Sequence, residues 1–261
     1  MTRIYTKRIQ NTMKKILGIL SLALAFACST TTSPAKAGTP ITHESWTALL
    51  QKHVSSSGCV NYEGFKKDKA KLYAYCELLS KHHPADSWSK DQKYAYWINA
   101  YNAYTIKLIV DNYPVKSIKD LGGTLTNKVW DKKYIELGGK TYSLTDIEHN
   151  ILRPKFKDAR VHAAINCASI SCPNLYNKAF EAKGLDATLD KVFKKWVNDK
   201  SKNTITADKL EISKIFKWFE EDFTRNGQTV IGYINKYSDV KVKADASISY
   251  KSYNWNLNKC R

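Results

Sequence analysis

The sequence predicts an α+β protein, one helix-rich domain packed on a small, mostly antiparallel sheet. Three observations carry that expectation. Ser89–Tyr113 is a long, mostly apolar helical segment. Gly138-Gly139 separates two short extended runs, which marks a β-hairpin. From Gly38 onward there is no internal repeat and no long linker, so a single domain over 38–261 is the economical reading.

Residues 1–37 read as a signal peptide rather than as part of the fold. Met13-Lys14-Lys15 gives a basic start, preceded by a basic N-terminal extension, and Ile16–Ala27 is an apolar run too short to span a membrane in the mature protein. Two processing sites compete. Ala35-Lys36-Ala37 fits small-x-small cleavage before Gly38. Ala25-Phe26-Ala27 before Cys28 half-resembles a lipoprotein box, with Ala25 where such a box usually has leucine. The first site yields a soluble exported protein and the second a membrane tether through Cys28. Either way the expected location is exported: periplasmic, outer-membrane-anchored or secreted.

The elements follow in order. His43–Val54 carries Trp46, Leu49, Leu50 and Val54 on one helical stripe, and Ser55–Gly58 breaks it. Phe65–Ser80 repeats the pattern with Leu72, Tyr75, Cys76 and Leu79. Ser89 caps the long helix, with Gln92 as its capping-box partner and Pro114 just beyond its end. Apolar residues nearly surround this helix, so it is central and buried. Asn99 and Asn102 share one face of it, and buried amides must be hydrogen-bonded. They either tie the helix to a polar network or orient a catalytic side chain or substrate.

After the hairpin, Ser143 caps a helix running to about Leu152, with Pro154 beyond it. Arg160–Asn166 reads as a buried strand. Leu185–Val197 is an amphipathic helix. Short strands are expected at 204–206, 210–212 and 245–250, and helices at Ser213–Phe223 and Val230–Tyr237.

Charge narrows the partners. Lys and Arg number 42 against 24 Asp and Glu; residues 1–37 hold six of the bases and no acid, which leaves a net +12 beyond them. The lysines are scattered, which makes a solvated basic surface with some affinity for anionic polymers or an acidic envelope surface. No nucleic-acid-binding motif accompanies the charge, so no nucleic-acid partner is expected. Five cysteines remain after Cys28, an odd number that leaves one thiol free or paired outside the chain. A disulfide such as Cys59–Cys76 is one option.

The chemistry concentrates at Asp158–Pro173, DARVHAAINCASISCP. Cys167 ends the expected strand, where a turn or helix N-terminus lowers a thiol pKa. Glu148 falls inside the apolar stripe of the 143–152 helix and needs a partner, either an ion pair with Arg153 or Arg160 or a histidine it orients. His149 sits at the edge of that stripe, within reach of a cleft rim. In a straight strand His162 would share a face with Asn166 and point away from Cys167, which keeps His149 open as the base. Cys172 precedes Pro173 and reads as structural, as a resolving thiol, or as a local disulfide partner of Cys167. The spacing H-x4-C-x4-C lacks the close ligand pair of a usual zinc site, so neither a metal nor a cofactor is expected.

At these residues the chain resembles the family known as domain of unknown function 547. The matching pieces are YWINAYNA (96–103), the hairpin with SLTDIEHNILR (143–153), DARVHAAINCASISCP (158–173), KIFKWFEEDF (214–223) and YNWNLN (253–258). The resemblance implies one domain over about 40–258, with a fold that looks like the papain/transglutaminase-like cysteine enzymes. That likeness implicates Glu148, His149, His162 and Cys167. Acid and histidines precede the cysteine here, whereas the usual papain order puts cysteine first.

The leading expectation is an exported cysteine hydrolase or acyltransferase acting on an amide or ester, its substrate a peptide or envelope component. Cys167 attacks, His162 or His149 moves the proton, Glu148 orients the histidine, and backbone N–H groups or Asn99 stabilise the oxyanion. Two rivals stand beside it: a thiol–disulfide redox protein using Cys167 and Cys172, and a non-enzymatic envelope binding module.

Overall fold

A computed structural model describes residues 39–122 and 129–260, all within one compact unit. The signal segment, Cys28 and both processing sites lie outside the described residues. The fold class is the expected one, helices packed on two small sheets.

Helix α1 (Glu44–His53) buries Trp46, Leu49 and Leu50. The single helix expected at Phe65–Ser80 is two, α2 (Tyr62–Lys67) and α3 (Lys69–Lys81). They part at Asp68, whose carboxylate turns to α1 and accepts from Lys52 Nζ at 2.6 Å and His53 Nε2 at 2.7 Å. Helix α4 (Lys90–Asn112) is the buried axis of the fold. Its capping box is formed as the sequence predicts: Gln92 N–H donates to Ser89 Oγ at 3.1 Å, and Ser89 N–H to Gln92 Oε1 at 2.7 Å.

Strands β1 (Ile135–Leu137) and β2 (Lys140–Tyr142) form the antiparallel hairpin. Gly138 and Gly139 take φ of 57° and 76°, as a two-residue primed turn requires. Helix α5 (Asp146–Phe156) differs from expectation. It is wound as a π-helix and runs through Pro154 instead of stopping before it. The wider winding accommodates a residue that lacks an N–H and crowds a normal turn.

The expected buried strand at Arg160–Asn166 is absent. Val161–Ala164 is a one-turn helix, α6, and Ile165 just beyond it is extended (φ −96°, ψ 144°). An apolar run of this length suits either a strand or a buried turn. Asn102 decides it: its side-chain Nδ2 donates to Ala164 O at 2.9 Å and its Oδ1 accepts from Asn166 N–H at 2.9 Å. The backbone groups a neighbouring strand would have used are already taken.

Helix α7 (Leu185–Val197) has the predicted bounds and inward face. Strands β3 (Thr204–Ile205), β4 (Lys209–Ile212) and β5 (Ser247–Tyr250) form a second sheet, β3 antiparallel and β5 parallel to β4. The helix expected over 213–223 breaks into α8 (Ile215–Trp218) and α9 (Glu220–Phe223) at Phe219, and α10 spans Val230–Ile234.

The tail after β5 is a strap. Leu257 N–H donates to Lys116 O at 2.9 Å, Ile170 N–H to Asn256 O at 2.8 Å, and Cys260 N–H to Val60 O at 3.0 Å. A Cys59–Cys260 disulfide pins it. The Cys59–Cys76 option is thereby corrected: Cys76 is a buried free cysteine on α3, its thiol pushed up to about 12 by burial.

Candidate active site

Three elements converge beside Cys167. Helix α6 brings His162, α5 brings Glu148 and His149, and the strap brings Tyr253 and Trp255. All six line one cavity of about 320 Å3. The short helix solves the facing problem posed by a straight strand, because His162 and Cys167 now border the same space.

The sulfurs of Cys167 and Cys172 are bonded to each other. Cys167 is half-buried and Cys172 buried. The loop between them is held from several sides. Asn166 Nδ2 donates to Pro173 O at 2.7 Å, and its Oδ1 accepts from Ala168 N–H at 2.8 Å. Ala168 sits at φ 61°, an uncommon left-handed position for a residue with a Cβ, and such positions cluster at functional sites. Cys167 N–H points at Cys172 Sγ at 3.1 Å. The Tyr253 hydroxyl stands 3.3 Å from Cys172 Sγ, 3.4 Å from Cys167 Sγ and 3.2 Å from Ser169 Oγ.

Glu148 is buried and forms neither of the ion pairs considered from sequence. Arg160 is committed to Asp158, Asp186 and Asp190, and Arg153 to Asp222 and Glu221. Its partner is the Tyr101 hydroxyl, 3.2 Å from Oε2. Burial pushes the carboxyl up to about 7, against the opposing pull of Tyr101 and Arg153. An acid near 7 holds and releases a proton at neutral pH.

His162 Nε2 lies 2.8 Å from Asp222 Oδ2. Asp222 also accepts from Arg153 Nε at 2.6 Å and from Arg225. Burial works against its ionisation, yet the His162 and Arg153 bonds outweigh that and hold it well below the usual carboxylate range. Two guanidinium groups already balance this anion, so His162 need not be charged. Burial lowers its pKa, and the neutral ring donates from Nε2–H, which leaves Nδ1 an acceptor. His149 is exposed, with Nδ1 2.9 Å from Arg153 Nη1. Burial and then Arg153 lower its pKa too.

The supporting amides are structural. Asn99 does not line the cavity. Its Nδ2 donates to Phe180 O at 2.7 Å and its Oδ1 accepts from Phe180 N–H at 3.0 Å, so both ends are used and the oxyanion role is withdrawn. Asn102 and Asn166 fix the backbone on either side of the sulfurs.

Sequence reasoning missed Asp222, Tyr101 and Tyr253. Asp222 sits in EEDF at the end of an apolar block, with nothing in the local pattern to single it out from Glu220 and Glu221. Tyr253, Trp255 and Leu257 alternate with asparagines, the period of an extended segment with one buried face.

No curated protein and no solved structure shows significant similarity to the chain, so the expected papain/transglutaminase likeness has no structural match behind it. One family model does match, over residues 85–197, a span that includes α4, α5, His162 and both bonded cysteines. That segment matches the model of the family described as "Protein of unknown function, DUF547".

Proposed function

We propose that the protein carries out thiol–disulfide exchange at the Cys167–Cys172 couple, in the exported setting expected from its first 37 residues. The observation that carries this reading is a disulfide on the wall of a cavity that also holds the buried carboxyl of Glu148, which burial pushes up to about 7.

A thiolate of a dithiol substrate attacks Sγ of Cys167, the more exposed residue of the pair. The S–S bond breaks, a mixed disulfide forms, and Cys172 leaves as a thiolate. Cys167 N–H and the Tyr253 hydroxyl are positioned to stabilise that thiolate. The second substrate thiolate then attacks the substrate sulfur of the mixed disulfide and releases Cys167. The substrate is oxidised to a disulfide and the couple reduced to two thiols. Glu148 supplies or accepts the proton that separates thiol from thiolate.

Equilibration with glutathione buffers, followed by mass mapping, tests this. Reversible opening of Cys167–Cys172 with Cys59–Cys260 intact supports it. A native protein in which Cys167–Cys172 never opens overturns it.

A cysteine hydrolase or acyltransferase is the second reading, favoured by the His162–Asp222 pair lining the same cavity. It applies only to the opened bond, because a bonded sulfur is no nucleophile. There Cys167 would attack a carbonyl while His162 accepts the thiol proton. An acyl adduct on Cys167 of the reduced protein, lost in His162→Ala, supports it. Reduced protein that alkylates at Cys167 but never acylates removes it.

A further inference from the structure

The cavity has a composition that runs against the chain as a whole. Basic residues outnumber acidic ones by 18 in the sequence, yet among the described residues no lysine or arginine lines this cavity, whereas two acids, Asp131 and Glu148, do. Scattered lysines on a basic surface would be expected to reach any open cleft. Asp131 is exposed, accepts a hydrogen bond from Thr145 Oγ1 at 2.6 Å, and forms no ion pair among the described residues. Glu148 has one oxygen on Tyr101. The neighbouring charges cancel outside the lining: Arg153 and Arg225 against Asp222 and Glu221, and Lys133 against Asp146.

The walls are aromatic. Trp218 and Trp255 stack at 5.9 Å, Tyr253 lies 4.5 Å from Trp255, and Trp130 meets Trp255 edge-on at 5.3 Å. Trp218 is 46% exposed, one of the few large apolar side chains left open. Aromatic faces beside an unpaired carboxylate attract an organic cation through the ring quadrupole and the charge together. One ring of the set already does so, since the Lys119 ammonium lies over Trp255 at 5.3 Å.

We infer that this cavity is a substrate subsite for a cationic side chain, the ammonium or guanidinium head of a Lys or Arg on a polypeptide, seated between Asp131 and the Trp130/Trp218/Trp255 wall. The inference rests on the exchange reading for its choice of a polypeptide, because a thiol-bearing partner of such chemistry is a protein. It adds that cysteines flanked by basic residues are preferred.

Titration followed by tryptophan fluorescence tests it, with N-acetyl-lysine amide, N-acetyl-arginine amide and the neutral isostere N-acetyl-norleucine amide as probes. Both cations should bind saturably and at least tenfold tighter than norleucine. Asp131→Asn should lose most of that preference, and raised salt should weaken the cations alone. Equal binding of norleucine, or a preference unchanged in Asp131→Asn, overturns the inference, as does tight binding of a neutral oligosaccharide with none of the cations. The same titrations on Cys167→Ala/Cys172→Ala protein separate the two ideas: cation binding that persists while exchange is absent leaves the subsite standing if the exchange reading fails.

Discussion

The phenolic oxygen of Tyr253 lies 3.4 Å from Sγ of Cys167 and 3.3 Å from Sγ of Cys172, though 86 and 81 residues separate them in the chain. The strap holds it there, through Ser171 and Asn254 on one side and Asn258 and Ala168 on the other. A single hydroxyl therefore serves both sulfurs.

Tyr253→Phe removes that hydroxyl and little else. The reduced couple should then ionise at higher pH, by roughly one unit, the worth of one hydrogen bond to a charged group. The pH dependence of Cys167 and Cys172 alkylation reads it. An unchanged profile would mean that the phenol is a spectator.

Glu148 makes stability depend on pH. Its ordinary pKa is 4.5 and its folded value about 7. The folded state keeps this proton while the unfolded chain gives it up, so stability falls as pH rises from about 4.5 to 7 and levels above. Glu148→Gln should flatten that fall and raise stability at pH 8 by on the order of 3 kcal/mol. Urea unfolding across pH 5–8 measures both curves, and parallel curves would refute the assignment.

Asn102→Ala strips partners from Ala164 C=O and Asn166 N–H at once. Two buried groups left unsatisfied should cost about 2–5 kcal/mol. Asn99→Ala should cost a similar amount through Phe180, but only Asn102→Ala should change the rate at which Cys167–Cys172 opens. Urea midpoints together with reduction rates distinguish the two positions.

Asp222→Asn leaves Arg153 and Arg225 without their shared anion and should cost about 3–5 kcal/mol. It also removes the carboxylate that fixes the His162 tautomer. Nitrogen-15 shifts of the ring should show Nε2–H dominant in the native protein and a loss of that preference in the variant.

Much of the fold is legible before any coordinates. Ser89 and Gln92 announce the start of α4, Gly138-Gly139 the hairpin, and the stripe through Leu189, Phe193 and Trp196 gives α7 its bounds. These signals are local, complete within a few turns of chain. The segment before Cys167 is different: VHAAI suits a strand or a helical turn, and an amide 62 residues away chooses between them. The site divides the same way. Cys167, His162, His149 and Glu148 are found from spacing and do share a cavity. Asp222, Tyr253 and the indole wall arrive from distant segments, and local periodicity carries no account of what lies opposite.

The Asn166 staple has a kinetic side. Its amide holds Ala168 and Pro173, and the strap holds Ile170 and Ser171, so the loop has anchors that do not depend on the sulfur bond. Two freed thiols held in this way would stay neighbours at high effective concentration, and the attacked sulfur would be recaptured by its own partner faster than by bulk thiols. In the exchange proposed above, a mixed disulfide with a poorly seated molecule would then be short-lived, and only a ligand gripped elsewhere in the cleft would remain long enough to complete its own ring closure.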